Sequence, residues 1–302
     1  EHRGSPRFLF LHTYAVHDPY LPSRPDAQRF TDPGYAGGIV SDRAVLEQRA
    51  GDGEWRSVQQ EFWKTADCRD PADVRHLLDL YDAGIRTTDD AIGRFLDRLE
   101  KSGDLDDLLV VVTSDHGEAF GEHGLFLHET VFSENVRVPF LIRLPGGHSG
   151  GRVLDQPVGH VDLVPTLLEA LGLEPSPMRP MGESLWPAVV DPAISVATRR
   201  VVGDFIPGDG SSVNQQSLRE GRWRLVSLPV KGMTLLFDWT TDPGEQRDLA
   251  TARPLVAERL RGRLALEHAL IRARRTEEER GRPVRLDEAT RAQLDALGYG
   301  GR

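Results

Sequence analysis

The sequence predicts an α/β fold followed by a small antiparallel β-sheet, and three observations support this prediction. Residues 72–101 carry apolar side chains at helical spacing before Gly103, a pattern typical of one long amphipathic helix. Residues 108–113 are continuously apolar and rich in β-branched side chains, which indicates a strand buried on both faces of a sheet. Beyond residue 195, short strands alternate with turns, as expected of a small antiparallel sheet.

The other elements can be assigned in chain order. The apolar run 8–11 predicts a buried strand, and the mixed composition of residues 23–75 predicts a long surface excursion with short helices. Four further patterns complete the chain: a strand at 138–143, a helix at 162–172, strands within 199–204, 217–226 and 233–238, and a helix at 254–274 before a charged linker at 274–285. We therefore predict an α/β domain over residues 1–195 and a subdomain with terminal helices over residues 196–302.

Composition limits the classes of function. The chain has 302 residues, of which 39% are hydrophobic and 28% charged, as in globular proteins, and no apolar run reaches the ~18 residues that span a membrane. The net charge of −10 argues against a nucleic-acid partner. Cys68 is the single cysteine, which excludes an intramolecular disulfide framework and a cysteine zinc cluster. Periplasmic, secreted and cytoplasmic locations all stay open, because the chain starts at Glu1 and a signal peptide cannot be observed.

The strongest local signal for chemistry is the tripeptide Asp115-His116-Gly117, which follows the predicted strand directly. A carboxylate and an imidazole at a strand end supply two metal ligands, and glycine permits a sharp turn there. The alternative role for Asp115 is to cap a helix. From His116 to His128 the loop contains three glycines and three histidines, so its polar side chains are predicted to serve a site rather than a core.

His17 and His128 are the next candidates for a site. Either imidazole could bind an anion when protonated, or donate a proton to a leaving oxygen. A solvated loop side chain is the alternative for each of them. Pro19 and Pro22 restrict the loop that carries His17, which strengthens the functional interpretation of this histidine.

Several other polar residues receive structural interpretations. His12 is expected to pack, His160 to support the helix cap Asp162, and Arg137 to form an internal salt bridge. His123 could belong to a site, but nothing else in the sequence supports this role. The chain contains no phosphate-binding Walker loop, dinucleotide glycine fingerprint, Gly-x-Ser-x-Gly elbow or His-Glu-x-x-His motif.

These residues resemble the sulfatases of the alkaline-phosphatase superfamily over nearly the whole chain. The most specific stretch is 111–145, which contains the Asp-His-Gly motif, and residues 17–20 match a His-x-Pro-Tyr element. The other similar stretches are 8–22, 81–99, 159–172, 217–225, 236–245 and 294–299.

The resemblance implies a three-layer α/β/α sandwich of alkaline-phosphatase/sulfatase type, N-terminally incomplete, with a small C-terminal antiparallel sheet-plus-helix subdomain. It assigns Asp115 and His116 as ligands of a divalent metal, commonly Ca²⁺, with Mn²⁺ or Zn²⁺ as alternatives. It assigns His17 and His128 to the sulfate and the leaving oxygen. The implied reaction is metal-dependent hydrolysis of a small-molecule or glycan sulfate ester, and the oligomeric state stays open.

The sequence departs from the family pattern at the nucleophile, a Cys or Ser oxidised to formylglycine within Cys/Ser-x-Pro-x-Arg. In Cys68-Arg-Asp-Pro the proline stands one place late, and the stretches 23–27 and 31–35 lack the arginine. The paired aspartate ligands and first strand of the family are also missing, and all of these lie upstream of the matched segment in the family. We therefore expect a C-terminal portion with an exposed sheet edge, weak metal binding and little activity by itself.

Three alternatives stay open. The first is a phosphodiesterase or phosphonate monoester hydrolase of the same superfamily, which His116 favours because many sulfatases carry Asn there. The second is a non-catalytic sulfatase-like protein, and the third is an enzyme of two polypeptides. The substrate itself depends on variable loops such as residues 23–75, so the sequence does not name it.

Overall fold

The computed structural model describes residues 7–148, 150–174, 181–195, 199–206, 215–274 and 288. The chain divides into two compact units, one of residues 1–105 with 286–302 and one of residues 106–285. The predicted domain boundary at residue 195 therefore falls inside the second unit and stays a prediction. The charged linker beyond residue 274 and the similar stretch 294–299 lie outside the described residues.

The described part of the first unit is helical. Its helices are α1 (Arg24–Phe30), α2 (Arg43–Ala50), α3 (Trp55–Trp63) and α4 (Pro71–Ser102). The predicted long helix is confirmed as α4, which begins after an Asp70 side chain that accepts from the Ala72 amide and ends at Gly103 in the left-handed region. The predicted short helices in residues 23–75 are confirmed too, and α3 buries Phe62 fully.

The predicted strand at residues 8–11 is wrong. Residues 7–14 form neither helix nor strand, and the four apolar side chains of the run expose between 66% and 76% of their surface. A strand requires a neighbouring strand to satisfy its backbone amides and carbonyls, and no described strand pairs with this run. His12 is likewise exposed, and its ring contacts those of Phe10 and Tyr14 at centroid distances of 6.3 and 5.4 Å.

The second unit starts with mixed short elements. In chain order they are β1 (Val110–Thr113), β2 (Ala119–Phe120), β3 (Phe126–Leu127), α5 (Ser133–Val136), β4 (Phe140–Arg143), α6 (Leu163–Ala170) and α7 (Trp186–Val190). β1 and β4 pair antiparallel, and β1 is half-buried rather than buried on both faces. The continuous apolar run predicted more burial than the structure shows. Such a run indicates that the side chains are apolar, but it does not indicate how many strands lie beside it.

A four-stranded antiparallel sheet and a helix follow. The small antiparallel sheet and the helix are confirmed, but the strand predicted at 217–226 is two strands separated by a turn at Gly221. The strands β5 (Arg200–Phe205), β6 (Gln215–Glu220), β7 (Trp223–Leu228) and β8 (Met233–Asp238) pair in this order, and α8 (Pro254–Arg274) comes after them. One face of the sheet packs against α8 through Leu218, Leu225, Leu236, Leu260 and Leu264. The opposite face packs Val226 and Phe237 against Val131 and Phe132, the residues between β3 and α5.

An ion pair at the end of β8 makes the stability of this sheet sensitive to acid. Hydrogen bonds from Arg222, opposed by burial and assisted by Thr240, lower the pKa of Asp238 to about 2 from its ordinary 3.8. A lowered folded pKa stabilises the native state above pH 3.8, and this stabilisation is lost as the pH falls through about 2. We expect the melting temperature of the wild type to exceed that of Asp238→Asn at pH 5 and the difference to disappear near pH 2. Calorimetry across this range tests this, and a difference independent of pH would contradict it.

Candidate active site

The turn after β1 is held by short local hydrogen bonds. The Ser114 hydroxyl donates to the His116 carbonyl at 2.6 Å, and Asp115 Oδ1 accepts from the His116 amide at 3.0 Å. Nε2 of His160 donates a hydrogen bond to the Ser114 carbonyl at 2.8 Å. The Asp115 carboxylate remains 55% exposed, so it stands at the surface of the second unit where it can contact a ligand.

His116 and His128 stack on one another within this unit. Their ring centroids are 4.1 Å apart and the rings are inclined by 21°. Nδ1 of His116 donates to the Gly117 carbonyl at 2.8 Å, and Nδ1 of His128 lies 3.2 Å from Oε1 of Glu118, whose side chain is 4% exposed. Because Nδ1 of each ring is bound to the loop, Nε2 is the atom through which each ring would bind a metal or an anion.

His17 belongs to the first unit and has its own supporting residues. Its Nδ1 donates to the Asp18 carbonyl at 2.7 Å, and the Tyr14 ring stacks on it at 4.6 Å. The Asp18 side chain is buried and accepts hydrogen bonds from Gln59 at 2.6 Å and Trp63 at 2.8 Å. The loop is therefore fixed by α3 as well as by the prolines that the sequence showed.

The segment after His128 is attached to the C-terminal sheet by side chains. Gln215 of β6 donates from Nε2 to the Glu129 carbonyl at 3.0 Å, and Arg224 of β7 donates to the Val131 carbonyl. With the apolar contact of residues 131 and 132 against the same face, these bonds fix the backbone next to His128. The C-terminal sheet is thus part of the support of the histidine pair.

A buried charged network extends this support. The Glu245 carboxylate pairs with Arg224 and accepts from the Ser133 amide at 2.9 Å. His123 lies between the Glu245 carbonyl at 2.9 Å and the Glu134 carboxylate at 2.8 Å. Burial would lower the pKa of His123, but these two acceptors outweigh it and raise the pKa above its usual value.

The remaining histidine and arginine predictions can now be evaluated. His123 has a structural position, since its ring also stacks on Phe132 at 3.9 Å. Asp162 precedes α6, but its side chain does not cap this helix, so the predicted N-cap role is wrong. The carboxylate accepts instead from the Gly159 amide and from Arg199. Arg137 does not form the predicted salt bridge among the described residues; its guanidinium lies 5.1 Å from the ring centroid of Trp239.

Sequence reasoning missed the residues that orient the histidines. Glu118 lies two positions after His116, and a glutamate in a histidine-rich loop was the available signal for it. Asp18 adjoins His17, but Gln59 and Trp63 lie more than 40 residues away, and no local pattern connects them to this loop. Such partners are visible only once the chain has folded.

Asp115 and His116 fit part of the coordination shell of a divalent cation. They supply one carboxylate and one imidazole, both common ligands of such ions. Calcium takes roughly six to eight oxygen ligands, whereas imidazole is more typical of zinc and other transition metals. The two side chains therefore suit a divalent ion without selecting Ca²⁺ over Mn²⁺ or Zn²⁺.

Comparison with protein families identifies this arrangement. The model of the sulfatase family matches residues 1–173, which is more than half of the chain. The chain belongs to the sulfatase family. A second model, described as the C-terminal part of N-sulphoglucosamine sulphohydrolase, matches residues 121–268. Together the two matches cover the Asp-His-Gly turn, the histidine pair and the C-terminal sheet, and proteins of this family are generally metal-dependent.

Curated relatives share about a third of their residues with this chain in the aligned region. Choline-sulfatase of Rhizobium meliloti is 32% identical over 179 residues, which are 59% of this chain and 34% of that protein. N-acetylglucosamine-6-O-sulfatase of Bacteroides thetaiotaomicron is 39% identical over 175 residues, 56% of this chain and 31% of that protein. The chain thus spans about a third of the length of these two relatives.

Solved structures confirm the fold class. A protein in complex with its substrate D-glucosamine-2-N,6-O-disulfate matches with a TM-score of 0.60 and 21% identity over 88% of this chain and 60% of that chain. The phosphonate monoester hydrolase of Silicibacter pomeroyi matches with a TM-score of 0.61 and 26% identity over 81% of this chain and 51% of its own. The matched part of the chain therefore has the alkaline-phosphatase type of fold, with the C-terminal sheet and helix described above. None of its described helices is both long and apolar enough to cross a membrane.

Proposed function

We propose that this chain provides part of the active site of a metal-dependent sulfuric ester hydrolase. The observation that carries the proposal is the stacked His116–His128 pair beside Asp115, with the buried Glu118 behind it. Membership of the sulfatase family supports it, as do two relatives that are named as sulfatases. The substrate we propose is a small-molecule or glycan sulfate ester.

In this proposal each named side chain has a distinct role. Asp115 and His116 would hold a divalent ion, and such an ion would supply Lewis-acid polarisation of the ester. His128, oriented by Glu118, presents Nε2 to the sulfate group. For His17 of the first unit, whose Nδ1 donates to the Asp18 carbonyl, we propose the role that the family resemblance implies, donation of a proton to the leaving oxygen. The proposal assigns no nucleophile to these 302 residues; formylglycine would require the family motif elsewhere in the full-length protein.

Kinetics on the full-length protein test the proposal against its main alternative. A phosphonate monoester hydrolase is the second candidate, since one such enzyme is similar in fold and 26% identical in sequence. We expect kcat/KM for an aryl sulfate to exceed that for the corresponding aryl phosphonate. The opposite order would favour the second candidate, and hydrolysis of neither ester would support a non-catalytic protein.

The buried carboxylate behind His128 gives a more specific prediction. Glu118→Gln keeps the size of the side chain but weakens the hydrogen bond that orients His128. We expect kcat/KM for an aryl sulfate to fall about 10- to 100-fold, the usual effect of losing such an orienting partner. His148→Asn, a change at an exposed loop histidine, is the matched control and should leave kcat/KM unchanged. Equal activity of Glu118→Gln and wild type would remove Glu118 from the mechanism.

A further inference from the structure

Two arginines from different elements meet at one tryptophan in the second unit. Trp239 directly follows β8, and the guanidinium carbon of Arg219 on β6 lies 3.7 Å from its ring centroid. Arg137, which follows α5, places its guanidinium carbon 5.1 Å from the same centroid. The indole N–H donates to the Ser133 hydroxyl at 3.3 Å, so the ring itself is held in place. We refer to Arg137, Arg219 and Trp239 as the Trp239 cluster.

The positive charge of the Trp239 cluster is partly opposed by Glu245, but the cluster has no ion pair of its own among the described residues. Arg219 lies directly opposite Arg224 on the neighbouring strand β7, and like charges in this position repel. Arg224 is compensated by Glu245. In the part of the chain that the structure describes, no carboxylate lies within ion-pair distance of Arg137 or Arg219. In a protein with a net charge of −10, this local excess of cations is unusual.

Arg219 is also incompletely hydrogen-bonded. Its Nε atom is buried and has no hydrogen-bond partner among the described residues. Burial lowers the pKa of Arg219, the neighbouring charges of Arg224 and Arg137 lower it further, and the charge of Glu245 opposes these effects only in part. Stacking on the indole stabilises the guanidinium through its flat face, but the N–H groups point outward in the plane and are not satisfied by the ring. An unsatisfied buried donor is unfavourable. An anion in that plane would neutralise the charge and accept the missing hydrogen bond.

We propose that Arg137 and Arg219 form an oxyanion-binding site at the edge of Trp239, suited to a sulfate group. The guanidinium fork matches the geometry of such a group and binds it through paired hydrogen bonds. The sulfate could be the free ion or a substituent of a saccharide. This inference does not depend on the proposed hydrolase activity, because the residues that carry it differ from the histidine pair.

Binding measurements on the 302-residue chain test the site. Sodium sulfate is titrated by calorimetry, and the melting temperature is recorded in sulfate and in chloride at equal ionic strength. We expect sulfate to raise the melting temperature of the wild type and the dissociation constant to rise at least tenfold in Arg219→Gln and Arg137→Gln. Arg261→Gln, at an exposed arginine of α8, is the control and should bind as the wild type does. Identical sulfate binding in all three variants would overturn the proposal.

Two further experiments test whether the bound sulfate is the free ion or part of a saccharide, and whether it binds at the histidine pair instead. Tighter binding of glucosamine 6-sulfate than of sodium sulfate would assign the site to a saccharide, and equal binding would assign it to the free ion. If uncharged N-acetylglucosamine binds as tightly as glucosamine 6-sulfate, the site does not recognise an oxyanion and the proposal is wrong. His128→Asn should keep the sulfate effect; if it abolishes the effect while Arg219→Gln does not, the sulfate binds at the histidines and the proposal is wrong. Circular dichroism of each variant verifies that it is folded.

Discussion

Replacing Glu245 by glutamine is expected to destabilise the protein by about 3–5 kcal/mol, because it leaves the charge of Arg224 buried without a counter-ion. Glu245 is 1% exposed and Arg224 is 5% exposed, so water cannot replace the lost carboxylate. The same carboxylate accepts from the Ser133 amide, and glutamine can retain only part of that bond. Urea denaturation of wild type and variant measures the free-energy difference directly.

Two companion variants separate the charge from the packing. Glu245→Gln combined with Arg224→Met removes both charges, so the double variant should recover much of the stability that Glu245→Gln loses. Glu258→Gln affects an ion pair with Arg261 at the surface of α8, where both side chains are more than half exposed, and should cause no measurable loss. A Glu245→Gln variant as stable as Glu258→Gln would show that the buried pair contributes nothing.

The effect should extend to the histidine pair, because Glu245 connects the C-terminal sheet to the segment after His128. Its carboxylate binds Ser133 and its carbonyl binds His123, which in turn binds Glu134. The matched family model that starts at residue 121 includes both this segment and the sheet. The sheet therefore contributes to the site by positioning backbone rather than by supplying the predicted ligands.

Local patterns were sufficient to predict most of the elements. α4, β4, α6, β5, β8 and α8 each show their own periodicity or turn signals, and the structure contains them, whereas the hairpin of β6 and β7 was predicted as one strand. The strand at residues 8–11 failed because a strand depends on a neighbour as well as on its own composition. The burial of β1 was overestimated for the same reason, since only β4 pairs with it among the described residues.

The candidate site was predictable where its residues are close in sequence. Asp115, His116 and His128 could be proposed as site residues because they occupy one short loop after a strand, and the structure stacks the two histidines. The pairs that hold this loop are distant in sequence: Arg224 and Glu245 come from β7 and from the turn after β8. Cross-strand and loop-to-sheet contacts of this kind leave no periodic signal, so the sequence indicated candidate ligands but not the contacts that support them.

The second large effect concerns Gly117, where the chain passes too close to α5 to accept a side chain. A Cβ at this position would lie 2.0 Å from the Glu134 carbonyl oxygen, which belongs to the backbone and cannot rotate away. The Gly117 amide donates to the Asn135 carbonyl at 2.7 Å, and its own carbonyl accepts from His116. In Gly117→Ala the turn or α5 must move, and the His116 ring moves with it.

We therefore expect Gly117→Ala to cost about 1–3 kcal/mol of stability by overpacking and to lower kcat/KM of the full-length protein about a hundredfold. The matched control is Gly262→Ala in α8, where no heavy atom lies within 4 Å of the new Cβ. This control should gain about 0.5–1 kcal/mol, because alanine is the better helix former. Urea denaturation and aryl sulfate kinetics of both variants give the comparison. If Gly117→Ala has the stability and kcat/KM of the wild type, the turn adjusts without moving His116. The close approach of Gly117 to α5 is then not needed for the function of the site.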